Sequence, residues 1–189
     1  MAQNTKSELA QGLVKLLSSK TLNNITVSDI VNASGYNRQT FYYHFHDVYE
    51  LIEWIVDHYA EQNLPLAPTS GSWTKALLTV VNEMLKNKSL VLNLYSSVSS
   101  SVMDRYLYKI SRHLTNMIVT AEAVRLDVSL SDGDFEFLSR SAQYILHGFL
   151  NDWIRDGMRE KPETLCQRID PLIRVTLPPA IAYYSHQNA

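Results

Sequence analysis

The chain has 189 residues, 46% apolar and 19% charged, with a net charge of −2. That apolar share is enough for a packed core, while no apolar run reaches the length of a membrane span and no leader pattern opens the chain, so a cytoplasmic protein without a membrane partner is expected. The single cysteine, Cys166, excludes a disulfide framework and a cysteine-based metal site, and reads as a small apolar residue in a helix.

Apolar residues recur at spacings of three and four along almost the whole chain, and no strand signature stands out, which predicts an all-α protein. The first helix is expected over residues 5–19, with Leu9, Leu13, Leu16 and Leu17 on one stripe. After Asn23 and Asn24 comes the segment ITVSDIVNASGYNRQTFYYHF. Thr26 followed by Asp29 matches a capping box opening a short helix, with Val27, Ile30 and Val31 facing inward. Gly35 stands where a tight turn needs positive φ, and Asn37 is placed to cap the next helix. On that helix Phe41 and Phe45 share a face directed at a core, and Arg38, Gln39, Thr40, Tyr42, Tyr43 and His44 point elsewhere. Two short helices joined by a glycine turn form a helix-turn-helix, whose second helix enters a major groove.

Asp47 and Glu50 suggest a second capping box for a helix to about residue 62, with Val48, Leu51, Ile52, Ile55 and Val56 on its apolar face. The Pro-containing stretch NLPLAPTSGS then marks a boundary. Further helices are expected over 73–87, 89–96, 101–126, 131–158 and 162–176. Ser101 with Asp104 and Ser131 with Asp134 mark two starts, Pro162 fits a first turn, and Pro178 and Pro179 should end the last helix.

Charge is distributed unevenly. Residues 1–46 carry Lys6, Lys15, Lys20 and Arg38 against Glu8 and Asp29, an excess of two positive charges, and the remainder is acidic. So light a positive charge touches few phosphates, and a useful affinity then requires a dimer.

The run GYNRQTFYYHF with the acidic helix start after it resembles the DNA-binding domain of TetR-family regulators. The resemblance implies an N-terminal three-helix helix-turn-helix module plus a C-terminal helical bundle domain. In chain order this is a DNA-binding domain over 1–46, a connecting helix over 47–62, and a dimerisation and effector domain over 63–189. It implies a homodimer on double-stranded DNA with an inverted-repeat operator, Thr26 beside a phosphate, and Asn37 to His44 in the groove. Tyr42 falls at the family's backbone-contacting tyrosine. Arg38, Gln39 and Thr40 become base readers, since Arg pairs with guanine, Gln with adenine, and a Thr methyl touches a thymine methyl. Tyr43 and His44 are surface residues facing DNA. His46 stands where the family often has Lys, and a neutral imidazole grips phosphate less than an ammonium does.

The resemblance also implies that the last two long helices form a four-helix bundle with their copies in a second subunit. Ala142, Ile145, Gly148 and Phe149 on the first and Leu165, Ile169 and Leu172 on the second are the candidate interface. Gly148 lowers helix stability by about 1 kcal/mol relative to Ala, which makes sense where another backbone passes close by. Tyr106, Ile110, His113 and Met117 recur at helical spacing, a mixed lining suited to a small-molecule effector. YNRQTFYYHFHDVYELIEWIV and HGFLNDWIRDGMREKPETL are similar to a subgroup that includes activators of dihydroxyacetone kinase operons, which makes a protein co-activator the other candidate signal.

Two rival readings keep the helices and change the activity. One is a helical co-regulator without DNA binding of its own; the other is an all-helical enzyme. His44 and His46 are two apart, His113 and His147 are isolated, the serines at 96–101 have no nearby histidine, and no hydrolase, P-loop, zinc or dinucleotide motif occurs. No catalytic residue, cofactor or metal is therefore expected.

Overall fold

The computed structural model describes residues 2–63, 73–96 and 100–186. Among them the chain is helical with no strand: α1 (Ala2–Leu17), a 3-10 turn (Leu22–Asn24), α2 (Val27–Ser34), α3 (Arg38–His44), α4 (Val48–Asn63), α5 (Trp73–Lys86), α6 (Lys88–Tyr95), α7 (Ser100–Leu126), α8 (Asp132–Arg155) and α9 (Pro162–His186). Most of the expected NLPLAPTSGS boundary, and the side chain of Ser101, lie outside the described residues.

The helix starts follow side-chain chemistry. Thr26 and Asp29 form the reciprocal capping box of α2, Asn37 Oδ1 accepts from the Thr40 amide at 2.8 Å, and Ser131 Oγ accepts from the Asp134 amide at 3.1 Å. At α4 Asp47 accepts from the Glu50 amide at 2.9 Å, but the Glu50 carboxylate takes the amide of His46 instead of Asp47. That extra reach fastens the end of α3 to the start of α4.

Two helix ends differ from expectation. Residues 156–158 do not extend α8: Gly157 and Met158 are left-handed, and their amides bond the carbonyls of Ile154 (2.9 Å) and Trp153 (2.8 Å). This 5→2 and 6→1 pair is a Schellman closure, which a glycine at 157 signals. Conversely, α9 does not stop at Pro178 and Pro179 but continues to His186. Each proline removes one backbone hydrogen bond. Buried Leu177 and Ile181, and ring contact of Tyr184 with Phe137 at 5.6 Å, hold the helix beyond them.

The chain divides into two compact units. Unit 1 comprises residues 1–62 and 86–106; unit 2 comprises 63–85 and 107–189. In unit 1, Leu9, Leu13, Leu17, Ile30, Val31, Phe41, Phe45, Leu51 and Ile52 form the core, with Leu90 and Leu94 of α6 packed against it. Asn93 Nδ2 also donates to the Leu17 carbonyl at 2.8 Å, satisfying an orphan acceptor at the end of α1. In unit 2, α5, most of α7, α8 and α9 surround Leu77, Val81, Leu107, Leu114, Ile118, Leu146, Leu150, Ile154 and Ile169.

Gly12 is where α1 meets α2: a Cβ there would lie 3.2 Å from both the Ile30 carbonyl oxygen and the Ser34 Cβ. Backbone on one side cannot yield as a flexible side chain would. Gly12→Val is expected to lower stability by about 1–3 kcal/mol, read as a lowered midpoint in urea. An unchanged midpoint would show that the two helices separate freely.

Candidate nucleic-acid interface

The candidate face is built on α3 by a division between buried and exposed sides. Phe41 and Phe45 are buried in unit 1, and their rings lie 5.9 Å apart. Phe45 also meets Trp54 of α4 edge-on at 6.2 Å, and Lys6 Nζ sits 5.2 Å above its ring. These anchors set the rotation of α3, so Arg38, Gln39, Tyr42 and Tyr43 are turned outward. Tyr43 is 82% exposed, too much for a core role. Its ring stands edge-on to His44 at 4.9 Å.

Gly35 supplies the turn that brings α2 and α3 together. It adopts φ 76° and its amide bonds the Val31 carbonyl, while the next amide, of Tyr36, bonds the same carbonyl at 2.9 Å. A side chain with a Cβ is strained at that φ. The Tyr36 hydroxyl donates to the Glu8 carboxylate, tying the turn to α1.

The remaining sequence-predicted residues lie around α3 with differing freedom. Thr26 is exposed at the start of α2, where its hydroxyl donates to Asp29 Oδ2 at 2.6 Å and accepts from the Asp29 amide at 3.2 Å. Those donors from Thr26, with a smaller pull from Lys20, hold the Asp29 carboxyl below its ordinary range. The Thr40 hydroxyl donates to Asn37 Oδ1 at 3.1 Å, which occupies the Asn37 oxygen and leaves its amide nitrogen as an outward donor. Arg38, Gln39, His44 and His46 have no side-chain hydrogen bond among the described residues. The face therefore presents one fixed cation, several amide and hydroxyl groups, two aromatic rings and two imidazoles. Such groups hydrogen-bond base edges and phosphates, which is the chemistry of a groove reader.

The expected subunit contacts are not all placed alike. Ile145, Gly148, Phe149 and Leu172 are exposed, whereas Ala142, Leu165 and Ile169 are buried within unit 2 itself. The same outward faces carry Phe137, Tyr144, Val175 and Tyr183, which a search for the core stripe passes over because they are out of phase with it. A Cβ at Gly148 would meet nothing within 4 Å, so the protomer's own packing does not require glycine there.

Of the expected effector lining, Tyr106 belongs to unit 1, and Ile110, His113 and Met117 to unit 2. Tyr106, Ile110 and Met117 are buried, and His113 is half-buried. A cavity of about 740 Å³ opens instead at the α8–α9 turn, between Phe149, Trp153 and Leu165 and the charged Arg155, Arg159 and Arg168. A groove of about 470 Å³ lies between α1 and α4, beside Val14, Trp54 and His58. The Cys166 thiol is buried, and burial, then Glu163 and Asp170, push it up to about 11, so it carries no thiolate near neutral pH. Among the described residues no cluster of His, Cys, Asp and Glu is arranged to hold a metal, and no helix is long and apolar enough to cross a membrane.

Comparison with known proteins gives one family and several folds. The TetR_C_8 model, described as a transcriptional regulator C-terminal region, matches residues 71–174. The dihydroxyacetone kinase operon activator DhaS superposes with a TM-score of 0.73 at 21% identity, over 92% of this chain and 96% of that one. NalD of Pseudomonas aeruginosa, the secondary repressor of the MexAB-OprM multidrug efflux pump, gives 0.61 at 19% identity over 92% and 97%. A tetR-family transcriptional regulator from Streptomyces coelicolor gives 0.61 at 17% identity over 96% and 83%. Identities of this size establish the fold and nothing finer. No curated protein sequence matches the chain.

Proposed function

Because the chain belongs to the TetR family of transcriptional regulators, whose members bind DNA, usually act as dimers and are not enzymes, we propose that it binds an inverted-repeat operator as a homodimer and reads it with α3. The observation that carries this reading is the outward face of α3, where Arg38, Gln39, Tyr42 and Tyr43 stand exposed on a helix fixed from behind by Phe41 and Phe45. Residues 1–46 are the reading module, 47–62 the connecting helix, and 63–189 the dimerisation and sensing part. Thr26, Asn37, Tyr42 and His46 grip the backbone. Arg38, Gln39 and Thr40 read bases, with Tyr43 and His44 packing along the groove wall.

Two copies place two such helices on one side of a duplex, with half-site centres about 34–36 Å apart or somewhat more. Selection from a random duplex library by the purified protein tests the proposal. Enrichment of an inverted repeat supports it; no enrichment at low salt favours a helical co-regulator that does not bind DNA itself. The sign of regulation is not set by the fold, since neighbours of the same shape include an operon activator and an efflux-pump repressor. The signal is a small molecule or a protein co-regulator acting on residues 63–189.

The division between base readers and backbone grips has its own test. Arg38→Ala and Gln39→Ala should each relax preference at one base position per half-site, costing about 1–3 kcal/mol, while Tyr42→Phe should weaken all sites alike. Binding to single-position operator variants separates the classes. A uniform loss in all three proteins would show that base reading lies elsewhere.

A further inference from the structure

Residues 1–46 carry a fixed excess of only two positive charges, and two of the chain's six histidines, His44 and His46, fall in the same stretch. His44 is the last residue of α3 and His46 lies between α3 and α4, on either side of buried Phe45. His46 is exposed, and His44 is half-buried beside the Tyr43 and Phe45 rings, at 4.9 and 6.4 Å. Neither imidazole has a side-chain hydrogen bond among the described residues, so each can take up a proton without breaking a contact.

The charges around the pair favour that uptake. Asp47 and Glu50 stand at the start of α4, and the Glu50 carboxylate accepts from the His46 amide. His44 ends α3, where free carbonyls favour a cation. Lys6 of α1 opposes, with its ammonium held 5.2 Å above the Phe45 ring, and Arg38 stands at the opposite end of α3. Glu8, Asp29 and Glu53, on α1, α2 and α4, are engaged by Tyr36, Thr26 and Arg105. Tyr42 and Tyr43 of α3 and Tyr49 of α4 complete the set, and phenols hold one charge state between pH 6 and 8.

We propose that His44 and His46 are a proton-operated phosphate grip at the C-terminal end of the reading helix, so that affinity for DNA rises as pH falls from 8 to 6. The inference rests on the operator reading and deepens it by naming a regulation of that face. Imidazole is the side chain whose charge ordinarily changes in this range. With both rings charged, the excess of two on residues 1–46 becomes four, a doubling on a lightly charged surface. Phosphates beside the rings favour the imidazolium, so binding takes up protons, and affinity falls as pH rises and the rings discharge. Each added phosphate contact steepens the dependence of log affinity on log salt by about 0.9, and contributes about 5-fold at 0.15 M salt. Two rings in each of two subunits then give about 10²–10³-fold.

Fluorescence anisotropy of the full-length protein at pH 6, 7 and 8 and fixed ionic strength tests this with two probes, the duplex most enriched by selection and the unselected library. Non-specific binding is also carried by phosphates, so both should bind about 10²–10³-fold more tightly at pH 6 than at pH 8, with a salt slope steeper by about 2–4. The His44→Gln, His46→Gln double variant should lose both effects, and His46→Lys should bind more tightly than wild type at pH 8 and respond less to pH. Circular dichroism at each pH shows that the proteins compared are folded. Equal wild-type affinity at pH 6 and 8, or an unchanged salt slope, would overturn the proposal. So would a pH response kept by the double variant, which would place it on His58, His113, His147 or His186. An enriched operator bound alike at every pH sinks this inference alone; pH-dependent binding of the library without enrichment upholds it and sinks only the operator reading.

Discussion

Phe41→Ala is expected to abolish DNA binding by unfolding the reading module, with a loss of about 3–5 kcal/mol. The side chain is fully buried, and it touches both Tyr42 and Phe45, so its removal opens a hole where α3 meets α1 and α4. Domains are held together by only about 5–15 kcal/mol, so the loss is a large fraction of the total. Urea melts followed by tryptophan fluorescence measure it, because Trp54 reports on the same core. The paired control is Tyr43→Ala. That change should alter stability by no more than about 0.5 kcal/mol, since the ring is exposed, yet still weaken operator binding. If Tyr43→Ala leaves DNA affinity intact, the outward face of α3 is not the interface.

The second large effect concerns the subunit contact. Ile145→Asp combined with Leu172→Asp places charge on the outward faces of α8 and α9 without disturbing residues buried within unit 2. Sedimentation should show a folded monomer, and affinity for a two-site operator should fall about 10²–10⁴-fold, because the second half-site no longer binds as part of one complex. Retention of the dimer would move the interface away from these helices. Gly148→Leu tests the same face by size instead of charge: it should leave the monomer as stable as before or more so, and weaken only the dimer.

The reading module was legible because its signals are local. Thr26, Gly35 and Asn37 each act on a backbone group within a few residues, and the four-residue spacing of Phe41 and Phe45 needs no knowledge of the distant chain. The resemblance to TetR-family regulators rests on that same stretch, whereas the family model matches the C-terminal part. Residues 107–186 were harder, for a physical reason. Helices with apolar residues on several sides do not declare which side faces their own core, so in sequence Ala142, Leu165 and Ile169 look like Ile145 and Leu172 although only the latter two are exposed. The burial of Ser111, Ser139 and Gln143 is not legible, because a polar residue in helical sequence ordinarily reads as solvated. Only their phase, matching Leu107 and Leu146, hints otherwise. The end of α9 does not follow from its prolines, because proline rules describe a helix alone, whereas Leu177 and Ile181 are held by their neighbours.

That same helix bears on how unit 2 folds. Pro171, Pro178 and Pro179 leave the carbonyls of Gln167, Arg174 and Val175 without their usual amide donors four residues on. A segment so interrupted does not nucleate unaided in water. The carboxyl-terminal stretch of α9 therefore coils only where α8 offers it a surface. A chain cut before residue 177 should keep the core of unit 1 while losing Leu177 and Ile181 from that of unit 2. The last turns of α9 therefore form together with the surface beneath them or not at all, which makes the far end of unit 2 cooperative with its core.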